Sequence, residues 1–231
     1  MILLTNDDGI DAPGMQALLQ AVQMAEIASP VAIVAPQQQQ SGCGHQVTTA
    51  APLQVQPRGS NRWAVAGTPV DCTRLALSHL CPEVRWILSG INAGGNMGSD
   101  IYISGTVAAV REAALHRLGA IAISHYRNGK RPYHWTEAAR WTSKILLDLM
   151  QRPIQPGIYW NINLPHLEPD APDPEIVFCS TCTQPLPAHF QKIEDQYHYS
   201  GVYNQRSRDS GSDVDVCLSG RIAIAQLSVN C

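Results

Sequence analysis

No stretch of this chain approaches about 18 consecutive apolar residues, so no membrane-spanning helix is expected. The start lacks a basic segment followed by a long apolar one, so no secretion signal is evident. An excess of positive charge is also missing. The formal net charge is −3, which argues against a general nucleic-acid binder while leaving a local patch open. Cysteine pairs are scarce: of seven cysteines, only Cys179 and Cys182 form a C-x-x-C. With an odd count and no second pair at zinc spacing, neither a zinc site nor a redox centre is expected, and reduced thiols in a cytoplasm fit best. No internal repeat is visible.

What is present suits a sizeable core. The 231 residues are 45% hydrophobic, enough for one large α/β domain or a domain with a smaller appendage. The most informative stretch comes first. An apolar run over residues 2–4 reads as a short buried strand, and it leads straight into Asn6-Asp7-Asp8-Gly9. Adjacent carboxylates disfavour burial and raise each other's pKa. A bound cation is the simplest partner that keeps both ionised. Neighbours on a regular strand face opposite ways, but Gly9 permits a turn that aims both groups at one point. In open parallel sheets ligands sit beyond the carboxyl ends of the strands, which suggests an oxygen-ligand metal site. An Asp-Gly turn in solvent is the plainer alternative.

Ala12-Pro13-Gly14 then opens a helix, with Met15, Leu18, Leu19, Val22 and Ala25 at helical spacing to about residue 28. A second buried strand spans 31–34. This β-α-β opening predicts parallel pairing. The loop that follows holds Gln37-Gln38-Gln39-Gln40 and Ser41-Gly42-Cys43-Gly44-His45, on the same rim as Asp7 and Asp8. Ser41 can reach a ligand there, or be an ordinary loop serine; His45 can serve as a proton donor but reads most simply as a polar surface group. Residues 52–57 suggest a strand or arm, and 63–66 another strand. Thr68 can cap a helix that starts at Pro69 and runs to about residue 80, where Asp71 in the first turn suits the helix dipole.

The second informative stretch spans 86–99. A buried strand over 86–88 breaks into a loop with glycines, Asn92 and Asn96, which allows close backbone approach to an anion and offers an uncharged oxygen ligand. It has neither the Gly-Lys-Ser/Thr of a Walker A loop nor G-x-G-x-x-G spacing. Ser104-Gly105-Thr106 then starts a helix through Val107, Val110, Ala114 and Leu118. These residues are either ordinary caps or hydroxyl and amide donors for phosphate at a positive dipole end. A strand over 120–124, a helix over 136–150 and a strand over 159–164 complete the alternation. Beyond Pro165 the prolines cluster, and strands are expected over 176–178, 214–218 and 222–227.

These residues resemble the SurE family (survival protein E). The similarity lies in Asn6-Asp7-Asp8-Gly9 with Ala12-Pro13-Gly14, Val34-Ala35-Pro36 with Ser41-Gly42, Gly67-Thr68-Pro69-Val70-Asp71-Cys72, Ser89-Gly90-Ile91-Asn92-Ala93-Gly94, the stretch 102–109 and Asn161-Ile162-Asn163-Leu164-Pro165, with a weaker echo at Gly211-Ser212-Asp213. The resemblance implies a metal-dependent phosphatase of nucleoside 5′-monophosphates, with 3′-monophosphates and polyphosphate as further substrates of some members. It implies a Rossmann-like, mostly parallel sheet with helices on both faces over residues 1–165. Residues 166–231 would be a C-terminal antiparallel β extension, serving as an oligomerisation or lid arm in a homodimer or homotetramer.

By the same resemblance Asp7, Asp8, Ser41 and Asn92 would hold one divalent ion, Mg²⁺ or Mn²⁺, while Asn6, Asn96, Ser104, Gly105 and Thr106 would surround the phosphate. The oxygen donors agree with a hard cation. Attack by a metal-activated water oriented by Asp7 is the expected route, with an aspartyl-phosphate through Asp7 as the alternative. Where the family usually reads D-R-N-R-S-G, this chain has Gln37 to Gln40, which removes charge near the entrance. The T-R-x-G pattern is missing around residues 180–183, and the chain ends at Cys231 where many members continue. Two rivals share parts of the pattern. A receiver domain would need a phospho-accepting aspartate ending a third strand and a lysine ending a fifth. A non-catalytic nucleotide-binding module, or a member with impaired activity, would bind nucleotide without releasing phosphate.

Overall fold

The computed structural model describes residues 1–168 and 170–230; Pro169 and Cys231 lie outside them. In chain order the elements are β1 (Ile2–Thr5), α1 (Pro13–Met24), β2 (Val31–Pro36), β3 (Val55–Pro57), β4 (Arg62–Val65), α2 (Pro69–Leu75), β5 (Trp86–Ala93), α3 (Gly105–Leu115), β6 (Gly119–His125), α4 (Trp135–Leu149), β7 (Ile158–Leu164), β8 (Ile176–Phe178), β9 (Phe190–Ile193), β10 (Gln196–Tyr199), α5 (Asp213–Leu218) and β11 (Ile222–Ser228).

Nine strands form one sheet in the order β3-β4-β2-β1-β5-β6-β7-β11-β8, and β9 and β10 make a separate hairpin. The strands from β4 to β7 in that order are parallel. β3 joins one edge antiparallel, and β11 pairs antiparallel with β7. The fold is thus the mostly parallel, two-faced α/β sheet that the sequence predicts.

Period-two alternation divides the core. Ile2 and Leu4 face the side covered by Leu18, Val22, Ile145 and Leu146 of α1 and α4. Leu3, between them, faces the side covered by Cys72, Val107, Val110 and Ala114 of α2 and α3. After β1 the chain first builds outward through β2 and β4. It then returns to β1's other flank with β5 and continues through β6 and β7. The order therefore reverses between β1 and β5, and the crevice at their carboxyl ends is where such sheets take ligands.

Several boundaries differ from the sequence expectation. Residues 214–218 are not a strand but the helix α5. The five residues Val-Asp-Val-Cys-Leu are too few to carry a decisive period, and Asp213 and Asp215 in the first turn complement the helix dipole instead. α1 stops at Met24, with Glu26 at a left-handed φ of 49°, and α3 stops at Leu115, with Arg117 at 63°. α2 passes into a π-helical turn over Ala76–Leu80. β5 runs on to Ala93, well past residue 88. Gly90, at φ 140°, allows this because a Cβ there would collide with the Ile123 carbonyl of β6.

Candidate active site

The turn after β1 is closed by Asn6. Its fully buried side chain donates to the Gly9 carbonyl (2.8 Å) and accepts from the Gly9 amide (3.2 Å), while Gly9 takes φ 106°. This turn sends Asp7 and Asp8 to different partners. Asp7 is only 5% exposed, and its Oδ1 accepts a 2.5 Å hydrogen bond from the Thr106 hydroxyl of α3. Asp8 is half-buried. Its Oδ2 accepts from the Ala93 amide at the end of β5 (2.8 Å), and its Oδ1 from the Gln39 amide (3.4 Å).

Gln39 also donates to Ser41 Oγ at 2.8 Å, so one side-chain amide ties the second acid to the loop serine. The Gln40 amide donates to the Asp7 carbonyl at 2.7 Å. Asn92 precedes the amide that binds Asp8, and its Nδ2 donates to the Gly94 carbonyl (2.8 Å). Loops from β1, β2 and β5 thereby meet the start of α3. Gly105 makes that approach possible: a Cβ there would stand 2.8 Å from Cys43 Sγ and 3.0 Å from Asp7 Cβ. Ser104 caps α3 by accepting from the Val107 amide (3.1 Å).

Charge is concentrated here at some cost. Burial pushes the Asp7 carboxyl up to about 6; Thr106 opposes the shift through its hydroxyl and amide, and Asp8 adds to it by repulsion. Burial also raises Asp8, against the pull of Ala93 and Gln39. A cation would relieve both. Asp7, Asp8, Ser41 and Asn92 offer carboxylate, hydroxyl and amide oxygens, a hard donor set suited to Mg²⁺ or Mn²⁺. Only two of the four are acidic, and the described residues contain no cluster of three or more His, Cys, Asp or Glu able to hold a metal. The set therefore fits an ion that keeps part of its water shell better than a softer, fully caged one.

Asn96 is buried and braced from three sides. Its side chain donates to Ser124 Oγ (2.8 Å), its amide donates to Asn163 Oδ1 (2.8 Å), and its carbonyl accepts from Asn161 Nδ2 (2.8 Å) and Asn163 Nδ2 (3.0 Å). The N-x-N of β7 thus secures the glycine loop. Asp71 forms a reciprocal capping box with Thr68 and also accepts from the amide and hydroxyl of Thr48 (2.8 and 2.7 Å), a structural role.

Sequence reasoning missed three contributors. Gln39 sits in what looked like a neutral run, and nothing local marks it as different from its neighbours. The Ala93 amide is backbone and leaves no residue signal. The third is Glu112, the one acid on a mostly apolar helix, which was a readable clue. It takes hydrogen bonds from His45 (3.0 Å) and Arg74 (2.8 Å) and approaches His116 (3.3 Å), tying the Ser41–His45 loop to α3. Burial raises its pKa, but the bonds from His45 and Arg74 outweigh burial and hold it down at about 2. His45 is therefore a structural link rather than a surface group. The described cysteines are all free, and Cys72, Cys81, Cys182 and Cys217 are buried. No helix among the described residues is long and apolar enough to cross a membrane.

The sequence model of the family described as "Survival protein SurE" matches residues 2–186. A protein of Nostoc sp. (strain PCC 7120), described as "Putative 5′-nucleotidase", is 54% identical over 228 residues, covering 99% of each chain. The "5′-nucleotidase SurE" of Caulobacter vibrioides (strain NA1000) is 33% identical over 239 residues, covering 99% of this chain and 90% of its own. The crystal structure of the SurE protein from Aquifex aeolicus superposes with a TM-score of 0.85 at 27% identity, covering 99% and 93% of the two chains. The chain belongs to the SurE family.

Proposed function

We propose that this protein is a divalent-cation-dependent 5′-nucleotidase, hydrolysing nucleoside 5′-monophosphates to nucleoside and phosphate. 3′-Monophosphates and short polyphosphate are further substrates on this reading. Relatives over the full length carry the 5′-nucleotidase name. The observation that carries the reading is the buried Asp7, raised to about 6, clasped by Thr106 at the N-terminal end of α3 and flanked by Asp8.

Asp7, Asp8, Ser41 and Asn92 would hold the ion, which would supply charge neutralisation at the phosphoryl group and a more acidic water. Asp7 orients the attacking water; Thr106 fixes the rotamer from which it does so. The α3 start offers the Gly105 amide and the Ser104 hydroxyl proton to the equatorial phosphoryl oxygens, while Thr106, its hydroxyl given to Asp7, acts through that acid. Asn96 acts on the phosphate through the second N–H of its side-chain amide, the first being given to Ser124. Asn6, committed to Gly9, shapes the turn and reaches the phosphate only through it. The glutamine loop keeps its grip on Asp8 and Ser41 through Gln39, which supports retained activity despite the lost charges.

Phe190, Ile193, Tyr197 and Tyr199 are exposed on the β9–β10 hairpin, which suits an arm of residues 166–231 that joins a second copy in a homodimer or homotetramer. A cytoplasmic setting matches the free thiols. The test is phosphate release from 5′- and 3′-nucleotides and polyphosphate, with EDTA, Mg²⁺ or Mn²⁺, beside Asp8→Ala. Metal-dependent release lost in the variant is expected. Binding without release by any folded preparation would establish a non-catalytic nucleotide-binding module instead.

A further inference from the structure

Two clefts flank the acid pair, and they differ in chemistry. One, of about 380 Å³, is lined by Gln37, Gln38, Gln40, Gln46 and Thr48 beyond the ends of β2 and β4. It offers hydrogen bonds and no aromatic ring. The other, of about 490 Å³, has Ala93, Gly94 and Gly95 as its floor. Its walls carry Tyr126, Tyr133, Tyr203 and the cation Arg127, and no carboxylate lines it. Its volume lies within the usual span of small-molecule sites, about 300–1,000 Å³.

This second cleft adjoins the acid pair directly, since its floor residue Ala93 gives the amide that binds Asp8. Tyr133 stands within reach of the same charge: burial raises its phenol, Arg127 opposes this, and Asp8 adds to it. Both walls are fixed. Tyr133 stacks on Trp135 (centroids 4.8 Å, 28°), with the Arg127 guanidinium 5.1 Å over its ring. Tyr203 donates to Asp100 Oδ2 at 2.5 Å, lies under Arg206 at 5.1 Å and runs nearly parallel to Tyr126. The floor is open: a Cβ at Gly94, φ 146°, would meet only Asn92 Nδ2, at 3.6 Å. Rigid aromatic faces with one cation and no acid suit a flat heterocycle, because little ordering remains to be done on binding.

We infer that the nucleoside half of the substrate occupies the cleft over Ala93 and Gly94, its base held between the Arg127–Tyr133 stack and Tyr203. This rests on the nucleotidase reading for the placement of the phosphate. Recognition by stacking tolerates every base, so preference among bases is shallow.

The test compares the full chain with Tyr133→Ala, Arg127→Ala and, in the glutamine cleft, Gln38→Ala. AMP and ribose 5-phosphate are assayed as substrates, and adenosine binding is titrated by calorimetry. Loss of base stacking weakens binding by roughly 5-fold to 150-fold. Tyr133→Ala is expected to lower the ratio of kcat/KM for AMP to that for ribose 5-phosphate at least about five-fold and to weaken adenosine equally. Arg127, exposed on its loop, gives a second variant whose folding is not at issue, and the same direction is expected. The inference is overturned if both variants leave the ratio and adenosine affinity unchanged, or if Gln38→Ala alone lowers them. Absence of phosphate release from either substrate would sink the nucleotidase reading, while the adenosine titration would still decide the cleft.

Discussion

Asp7→Asn should make the metal-free protein more stable while removing its activity. In the folded chain the Asp7 carboxyl is pushed up to about 6 from an ordinary 3.8, chiefly by burial. Between those values the folded protein holds a proton that the unfolded chain has released. The contribution to stability is therefore fully present below 3.8 and is lost as pH rises through 6. Each pKa unit corresponds to about 1.36 kcal/mol, so the gap makes ionised Asp7 a burden of about 3 kcal/mol at pH 8 and about 1 kcal/mol at pH 4.5. With only 5% of the residue exposed, solvent screening takes little from these figures. Asparagine keeps the shape, stays neutral and still accepts from Thr106. Thermal melts in EDTA should place the variant about 6–12 °C above the parent at pH 8, at about 2–4 °C per kcal/mol for a chain of this size. The gap should narrow at pH 4.5, and saturating Mg²⁺ or Mn²⁺ should lift the parent but not the variant. A variant no more stable than the parent at pH 8, or a gap indifferent to pH, would refute the reasoning.

Thr106→Val removes the hydroxyl that fixes Asp7 and should lower kcat/KM by about 10–100-fold, the usual loss for a group that orients a ligand; steady-state phosphate release checks it. Gly105→Ala forces a Cβ to within 2.8 Å of Cys43 Sγ and 3.0 Å of Asp7 Cβ, so activity should fall at least about ten-fold while circular dichroism stays native. Burial, with the His166 charge adding to it, holds His125 down at about 4 against 6.5. The unfolded chain takes its proton first as pH falls, so stability is full above 6.5 and declines by about 3 kcal/mol by pH 4. His125→Phe should flatten that part of the pH dependence in calorimetric melts; an unchanged slope would assign the loss to other groups.

How far the sequence could be read depended on the range of each interaction. β1 and the acid pair were legible because an apolar run ends abruptly in charge. The two-faced sheet followed from strands and helices in alternation. Ser104 was legible as a cap because capping is local. The bond from Thr106 to Asp7 joins residues 99 positions apart, and no local pattern announces it. Gln39 looked like its neighbours until the fold brought it against Asp8 and Ser41. Residues 214–218 were misread because five residues carry too little periodicity to separate strand from helix. The acids at 213 and 215 held the better signal. The strands after residue 165 read as an antiparallel extension packing on the main sheet or on a partner chain; β11 does join the main sheet antiparallel to β7, but β8 pairs with it in parallel, a sense that strand composition does not encode.

The contact of Arg206 with Asp100 has a bearing on timing. The Arg206 side chain is wholly buried and lies 2.8 Å from Asp100, in the segment that leads to α3. On the ribosome, the acid pair, the glycine loop and α3 emerge long before Tyr203 and Arg206 do. Until then Asp100 lacks its cation and the edge of β7 lacks β11. A nascent chain therefore carries its chemical groups early and gains a settled entrance to α3 only once Tyr203 and Arg206 have been made. Protease cleavage around residues 97–104 should be rapid in a chain arrested at residue 200 and slow in the finished one; equal resistance would show that the segment settles alone. Tyr203 and Arg206 thus act as a clasp on the segment before α3, closed only after the parallel strands and the acid pair have been made.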